Sequence, residues 1–141
     1  MSNNLLINTH DTQMPHNNDG KGDWYDLYCC EDVTMKQGEY KEISLGISIQ
    51  IPKGYTAYIL PRSSTFRKYG ILMVNSMGVI DSSYCGDDDI ISFPSLAMRD
   101  TVISKGARIA QMTIMPNTDI KFEQVDKLFN PNRNGLGSTG V

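Results

Sequence analysis

The strongest constraint on the fold is an alternation of apolar and polar residues with a period of two. In "ISLGISIQI", apolar side chains at Ile43, Leu45, Ile47, Ile49 and Ile51 alternate with serine, glycine and glutamine. This pattern predicts a half-buried β-strand. Shorter apolar runs follow it: "YTAYIL", "ILMV", "IISF", "TVI", "RIAQMTIM" and "IKFEQV". Turn signals such as "IPKG", "KYG" and "SKG" separate the runs, so the chain is expected to form an all-β sandwich or barrel.

One short helix and a flexible tail complete the predicted organisation. "SSTFRKYG" has Ser63 or Ser64 to cap a helix and Gly70 to end it. After Phe129 the sequence becomes "NPNRNGLGSTGV", which offers almost no apolar side chains for a core. We therefore expect a β domain over residues 1–129 and a flexible C-terminal arm over residues 130–141.

Composition excludes several classes of function. The 141 residues suit one domain, and the net charge of −3 provides no basic field for a nucleic-acid duplex. The three cysteines, which include the adjacent pair Cys29 and Cys30, indicate reduced thiols rather than a disulfide framework. The polar N-terminal stretch lacks the apolar run of a signal peptide or a membrane span. We expect a soluble protein of the cytoplasm, or of the host cytoplasm for a viral source, without a nucleic-acid or membrane partner.

Two short motifs offer hydrogen-bond donors for an anion. "LPRSS" places Arg62, Ser63 and Ser64 at a helix start, where unpaired backbone N–H groups point outward. The same residues also suit a capped helix with a surface arginine. "GLGSTG" could fold its backbone N–H groups around an anion, with hydroxyls from Ser138 and Thr139, or serve only as a linker.

The roles of two polar residues on predicted strands stay open at this point. If Ala110 and Met112 form the apolar face of "RIAQM", Gln111 shares the other face with Ile109. Its amide could reach a bound polar group, although a solvated glutamine is the commoner case. Asp26 in "DWYDLYCC" has the same two interpretations, a contact with a bound group or an ordinary solvated side chain.

Taken in order, "YDL", "PRSS", "NSMGVIDSSYCG", "RIAQ" and "GLGSTG" resemble the five sequence motifs of the trimeric deoxyuridine triphosphatases, the dUTP pyrophosphatases. The resemblance extends from about Met14 to Val141, and "GVID" followed by "SSY" and glycine is its most specific part. It implies a β jelly roll with one short helix, and hydrolysis of dUTP to dUMP and pyrophosphate. Such an enzyme limits uracil incorporation into DNA and supplies dUMP for dTMP synthesis.

The resemblance assigns the chemistry to the third motif. Asp81 would be the general base that activates a water for in-line attack on the α-phosphorus of dUTP. Tyr84 would stack on the deoxyribose and leave no room for a 2′-hydroxyl. The uracil edge would be bound by the hairpin and its surroundings, namely Asn75, Gly78, Val79 and Ile80.

The other motifs would hold the triphosphate. The implied contacts are Arg62, Ser63, Ser64 and Gln111 in the β domain, and Arg133, Leu136, Gly137, Ser138 and Thr139 in the arm. Mg²⁺ would bridge the phosphates and meet the protein through water, with Asp26 in its outer shell. The subunits of a homotrimer would share each site, and the arm would close over it.

Some residues depart from the family pattern. Leu136 stands where the family usually has a phenylalanine, and Arg133 is closer to that position than usual. Asp23 and Trp24 occupy places before Asp26 that usually hold small residues.

Two alternative functions remain open. The dCTP deaminases share the fold and an Arg-Ser-Ser motif, but they need a glutamate base close after "ID", where this chain has "SSYCG". A nucleotide-responsive regulatory protein would keep the site and use its dUTP-bound state to control a protein partner, whose identity the sequence does not give. The acids from Asp87 to Asp89 are interpreted as a solvated turn, and His10 and His16 receive no role.

Overall fold

The computed structural model describes residues 3–135 and Gly137, and it confirms that these residues form an all-β fold with one short helix. The strands are β1 (Leu6–Thr9), β2 (Tyr25–Tyr28), β3 (Val33–Met35), β4 (Tyr40–Ser44), β5 (Ile47–Gln50), β6 (Tyr55–Pro61), β7 (Ile71–Met73), β8 (Gly78–Ile80), β9 (Ser92–Ala97), β10 (Thr101–Ile103) and β11 (Arg108–Pro116). The helix α1 spans Thr65–Tyr69. Gly70 ends it in the left-handed conformation, with φ of 63°, as predicted.

The strands form antiparallel sheets around one hydrophobic core. β2, β11, β6 and β8 lie side by side in a four-stranded sheet, and β4, β9 and β7 form a three-stranded sheet. The pairs β1 with β5 and β3 with β10 complete the jelly-roll-like sandwich. Fully buried side chains come from both larger sheets and from the β3 and β10 pair: Leu27, Ile59, Ile43, Phe93, Met35 and Ile103.

Two of the predicted strands are wrong. "ISLGISIQI" is not continuous, because β4 ends at Ser44 and β5 begins only at Ile47. Gly46 between them has φ of 70°, and a Cβ atom there would lie 2.8 Å from the Cβ of Cys30, so the chain bends where only glycine fits. "IKFEQV" forms no strand: residues 117–135 contain neither helix nor strand, and Phe122 is fully exposed.

A β-bulge in β11 changes which of its residues share a face of the strand, compared with the strict alternation predicted from the sequence. The register with β2 shifts between Arg108, opposite Tyr28, and Ala110, opposite Leu27. Ile109 is fully buried like Ala110, so it does not share the partly exposed face of Gln111. The bulge lies next to the charged residues described below.

Candidate active site

Three charged side chains meet at one end of the four-stranded sheet. The carboxylate of Asp26 is mostly buried, and its Oδ1 lies 3.0 Å from Nε of Arg62. Its Oδ2 lies 3.5 Å from a terminal nitrogen of Arg108. The guanidinium of Arg62 also donates a hydrogen bond to the carbonyl of Arg108 at 3.4 Å. Two cations around one carboxylate leave a net positive charge that suits an anion.

Strand order explains how these distant sequence positions come together. Gln111 on β11 lies opposite Asp26 on β2 and opposite Leu60 on β6. Its Nε2 donates a hydrogen bond to the carbonyl of Pro61 at 3.1 Å, directly before Arg62. The structure therefore brings together Asp26, Arg62 and Gln111 from the first, second and fourth motifs.

Thr65 fixes the segment that carries Arg62. Its side chain is fully buried, and Oγ1 accepts a hydrogen bond from the backbone N–H of Arg62 at 2.9 Å. The same oxygen donates to the carbonyl of Ile109 at 2.8 Å. Ser64 is the N-cap residue of α1, which confirms the predicted position of the cap. Its hydroxyl makes no capping hydrogen bond, so the prediction that the serine side chain caps the helix is wrong.

A cleft of about 380 Å³ lies beside the charged side chains. Its lining combines Asp26, Arg62, Ser63 and Gln111 with Asn17, Asn18, Gly22, Asp23 and Trp24 from the preceding loop. Arg62 is the cation among these lining residues, beside the acids Asp23 and Asp26, so a phosphate chain in this Arg62 cleft would depend on Arg62 and on uncharged donors.

Asp81 lies elsewhere, in an exposed turn directly after β8. Its Oδ1 accepts a hydrogen bond from the backbone N–H of Ser83 at 2.8 Å, and its carbonyl accepts one from the N–H of Tyr84 at 3.0 Å. Hydrogen bonds from the backbone and the side chain of Ser83 hold the pKa of the Asp81 carboxyl below its usual range. The group is therefore ionised at neutral pH, as a general base requires.

The other third-motif residues surround this turn. Gly78 and Ile80 are half-buried on β8, and a Cβ atom at Gly78 would lie only 3.2 Å from the Cβ of Ile59 on β6. The side chains of Val79 and Tyr84 are exposed. Asn75 is also exposed, in the turn that precedes β8.

Within the chain, Asp81 and the Arg62 cleft lie at opposite ends of β6. In the antiparallel pair of β6 and β8, Ile80 lies opposite Ala57, so Asp81 follows beside the start of β6. Arg62 comes after the last residue of β6, Pro61. Because a strand rises ~3.3 Å per residue, about 20 Å separate Asp81 from Arg62 along the sheet.

The predicted arm contacts are only partly within the described residues. Leu136, Ser138 and Thr139 lie outside them. Arg133 is exposed, and Gly137 has φ of 88°, a conformation that favours glycine.

Sequence reasoning missed two residues of this region. Arg108 belongs to "RIAQ", but the motif implies no role for it, and its ion pair with Asp26 depends on the pairing of β11 with β2. In the sequence, Thr65 looks like an ordinary helix residue. The one signal for a structural role is its position directly after the two serines of "PRSS".

The fold is an all-β domain with a polar cleft that contains Arg62, Asp26 and Gln111. The dUTPase family profile matches residues 11–140, and the chain belongs to that family. A SPbeta prophage-derived deoxyuridine 5′-triphosphate nucleotidohydrolase of Bacillus subtilis (strain 168) is 47% identical over 132 residues, which cover 93% of each chain. The deoxyuridine 5′-triphosphate nucleotidohydrolase of Clostridium novyi (strain NT) is 42% identical over 82% of each chain.

Solved structures show the same fold. The dUTPase of Staphylococcus bacteriophage 80alpha with dUPNHPP matches with a TM-score of 0.85 at 22% identity, covering 99% of this chain and 100% of that one. The dUTPase of Streptococcus mutans matches with a TM-score of 0.74 at 26% identity, covering 84% and 98%. In the described residues, no helix is long and apolar enough to cross a membrane.

Proposed function

We propose that this member of the dUTPase family hydrolyses dUTP to dUMP and pyrophosphate by in-line attack of water on the α-phosphorus, with Asp81 as the general base. Family membership and the dUTP nucleotidohydrolases among its relatives support the activity. The observation that carries the mechanism is the exposed Asp81 carboxylate, which Ser83 holds in place and keeps ionised. A positioned general base contributes about 10²–10⁴ in rate.

The β8 hairpin is the proposed site for deoxyuridine. Backbone groups of Gly78, Val79 and Ile80, together with Asn75, would pair with the uracil edge, and Tyr84 would pack on the sugar. Exposure of the Val79 and Tyr84 side chains leaves this face accessible to a ligand. Cytosine presents the wrong donors to such an edge and would leave buried polar groups unpaired, which gives strong discrimination.

The Arg62 cleft is the proposed site for the triphosphate. Arg62 would supply a guanidinium that Asp26 and Thr65 hold in place. Ser63 and Gln111 in the cleft lining, and Ser64 at the start of α1, would supply uncharged donors. From the arm, Arg133, Gly137, Ser138 and Thr139 would add contacts, and Leu136 would lie over the uracil. Attack on the α-phosphorus releases the β- and γ-phosphates together as pyrophosphate. These two phosphates would be the part of dUTP that is bound in this cleft.

Magnesium is compatible with this cleft only in an outer-shell arrangement. Each oxygen of the Asp26 carboxylate already meets an arginine, and the described residues contain no cluster of three or more potential metal-binding side chains. Mg²⁺ keeps several waters and is commonly bound through substrate phosphates, so a water-mediated contact with Asp26 would suffice. A bound Mg²⁺ would neutralise charge on the phosphates.

A homotrimer with shared active sites is the proposed assembly. The separation of Asp81 from Arg62 within one subunit supports it, because substrate must contact both ends of the molecule. The segment after β11 also exposes large apolar side chains, with Ile120, Phe122 and Leu128 at 65%, 100% and 79%. Such exposure is typical of a surface that contacts another chain. The arm, residues 130–141, would close over a site and exclude water.

The cellular role follows from the reaction. We place the protein in the cytoplasm, where removal of dUTP would limit uracil incorporation into DNA and dUMP would feed dTMP synthesis. The three free cysteines of the structure are consistent with this compartment.

Pyrophosphate release from dUTP, dCTP, dTTP and UTP in the presence of Mg²⁺ tests the proposal. We expect release from dUTP alone, and its loss in Asp81→Asn. Asp87→Asn removes an exposed acid from the same loop and is the matched control that should remain active. Binding of dUTP without hydrolysis would favour the regulatory alternative, and loss of the amino group of dCTP would favour a deaminase.

A further inference from the structure

Trp24 lines the Arg62 cleft together with Arg62 and Ser63. It is the only tryptophan in the chain and is half-buried. Its indole nitrogen, which can only donate, makes no hydrogen bond with any other described residue. The described residues contain no buried side-chain nitrogen or oxygen without a partner, so this N–H keeps contact with solvent and is available to donate to a ligand.

The loop that presents Trp24 is held in an unusual conformation. Asn18, Asp19 and Gly20 have φ of 56°, 55° and 82°, so three consecutive residues adopt a left-handed backbone conformation. The backbone N–H of Gly22 donates to the carbonyl of Asn17 at 2.9 Å, and the N–H of Gly20 donates to the Asn17 side chain at 3.0 Å. Strained backbone that the surrounding structure holds in place clusters at binding sites.

The same loop is tied directly to the cleft. His16 and Asp26 form a backbone bridge, in which the N–H of Asp26 donates to the carbonyl of His16 at 2.6 Å. Position 24 is thereby fixed two residues before the carboxylate that holds Arg62. A Cβ atom at Gly22 would lie 3.2 Å from the carbonyl oxygen of Asn17, so the loop also requires a small residue there.

We propose that Trp24 is a substrate-contacting residue of the triphosphate cleft, whose indole N–H donates to a phosphate oxygen of dUTP. The inference rests on the proposed function and adds to it a donor outside the matched motifs. The neighbours of Trp24 in the cleft are polar or charged, so the ring has little apolar surface to pack against there. Since Arg62 is the cation in the lining, beside the acids Asp23 and Asp26, an uncharged indole donor would add a hydrogen bond to the phosphate chain.

Fluorescence of the sole tryptophan tests whether the site is at the phosphates. We expect the emission of Trp24 to change on titration with a non-hydrolysable imido analogue of dUTP, and with inorganic triphosphate. Deoxyuridine, which has no phosphate, should leave the emission unchanged. An equal response to deoxyuridine, or no response to either phosphate compound, would overturn the proposal.

Replacement of the indole tests the hydrogen bond itself. Trp24→Phe keeps an aromatic wall without the donor, and we expect KM for dUTP to rise about tenfold while kcat stays within about twofold. Tyr40→Phe, which removes an exposed aromatic donor on β4, is the matched control and should change neither constant. If Trp24→Phe behaves as the wild type and only Trp24→Ala is impaired, the ring contributes only packing to the cleft, and the proposed hydrogen bond is refuted. Hydrolysis of dUTP by the wild type is measured in the same assay, so failure of the Trp24 role is distinguishable from failure of the proposed function.

Discussion

The charge state of one exposed carboxylate decides whether the proposed mechanism works at neutral pH. Hydrogen bonds from Ser83 lower the pKa of Asp81, so the group keeps its charge at pH values where an ordinary aspartate begins to take up a proton. Ser83→Ala removes the side-chain hydrogen bond and keeps the backbone one. We expect the Asp81 pKa to move up towards the usual range and the acid limb of kcat/KM to move to higher pH with it. Carbon-13 NMR of the Asp81 carboxyl group, compared between the wild type and the variant, measures the shift. An unchanged Asp81 titration would contradict this assignment.

Arg62 and Arg108 both contact Asp26, but they should contribute unequally to substrate binding. The Arg62 side chain is 28% exposed and lines the cleft, whereas that of Arg108 is 44% exposed and lies over the ring of Tyr28 at 5.9 Å. Loss of a charged hydrogen bond to phosphate costs about 1.5–3 kcal/mol. We therefore expect Arg62→Gln to raise KM for dUTP about 10- to 100-fold, and Arg108→Gln to raise it less. Steady-state kinetics compares the two variants, and an equal or larger effect at Arg108 would refute the ranking.

At the scale of elements, one buried hydroxyl joins the helix start to β11. Thr65→Val keeps the side-chain shape but leaves the N–H of Arg62 and the carbonyl of Ile109 without their partner. Two unpaired buried groups should lower the free energy of unfolding by about 1–3 kcal/mol. Thr34→Val, on the exposed face of β3, is the control and should stay within about 0.5 kcal/mol. Urea denaturation measures both variants, and equal stability of Thr65→Val and wild type would show that the hydroxyl does not hold the two segments together.

The elements show where sequence reasoning reaches its limit. Local signals were enough for β6, β11 and the helix with Gly70 at its end, because alternation and capping residues act within a few positions. Alternation could not reveal the bend at Gly46, since a close approach by Cys30 makes the glycine necessary. The juxtaposition of Asp26, Arg62 and Gln111 depends on which strands pair, which no local pattern specifies. Motif resemblance selected these residues, but it gave Arg108 and Thr65 no role.

At the scale of the whole molecule, the proposed catalytic base and the phosphate cleft lie far apart in one chain. Because they are about 20 Å apart along β6, the proposed trimer would build each site from Asp81 of one subunit and Arg62 of another. This arrangement makes two impaired variants complementary when they assemble together, in an assay at dUTP concentrations well below KM, where the raised KM of Arg62→Gln makes that variant slow. Asp81→Asn subunits retain the cleft, and Arg62→Gln subunits retain the base.

Mixed trimers of these two variants test the shared site. After unfolding and refolding at equal concentrations, about one quarter of the sites should combine a normal Asp81 with a normal Arg62, because each subunit is chosen independently with even chance. We expect pyrophosphate release to reappear in the mixture at about one quarter of the wild-type rate, while each variant refolded alone stays at its own low rate. Wild-type protein refolded with Asp81→Asn controls for recovery and should show about half of the activity. A site built within one subunit would give no recovery in the mixture, so trimeric mass without recovery would refute a site shared between Asp81 and Arg62 of different subunits.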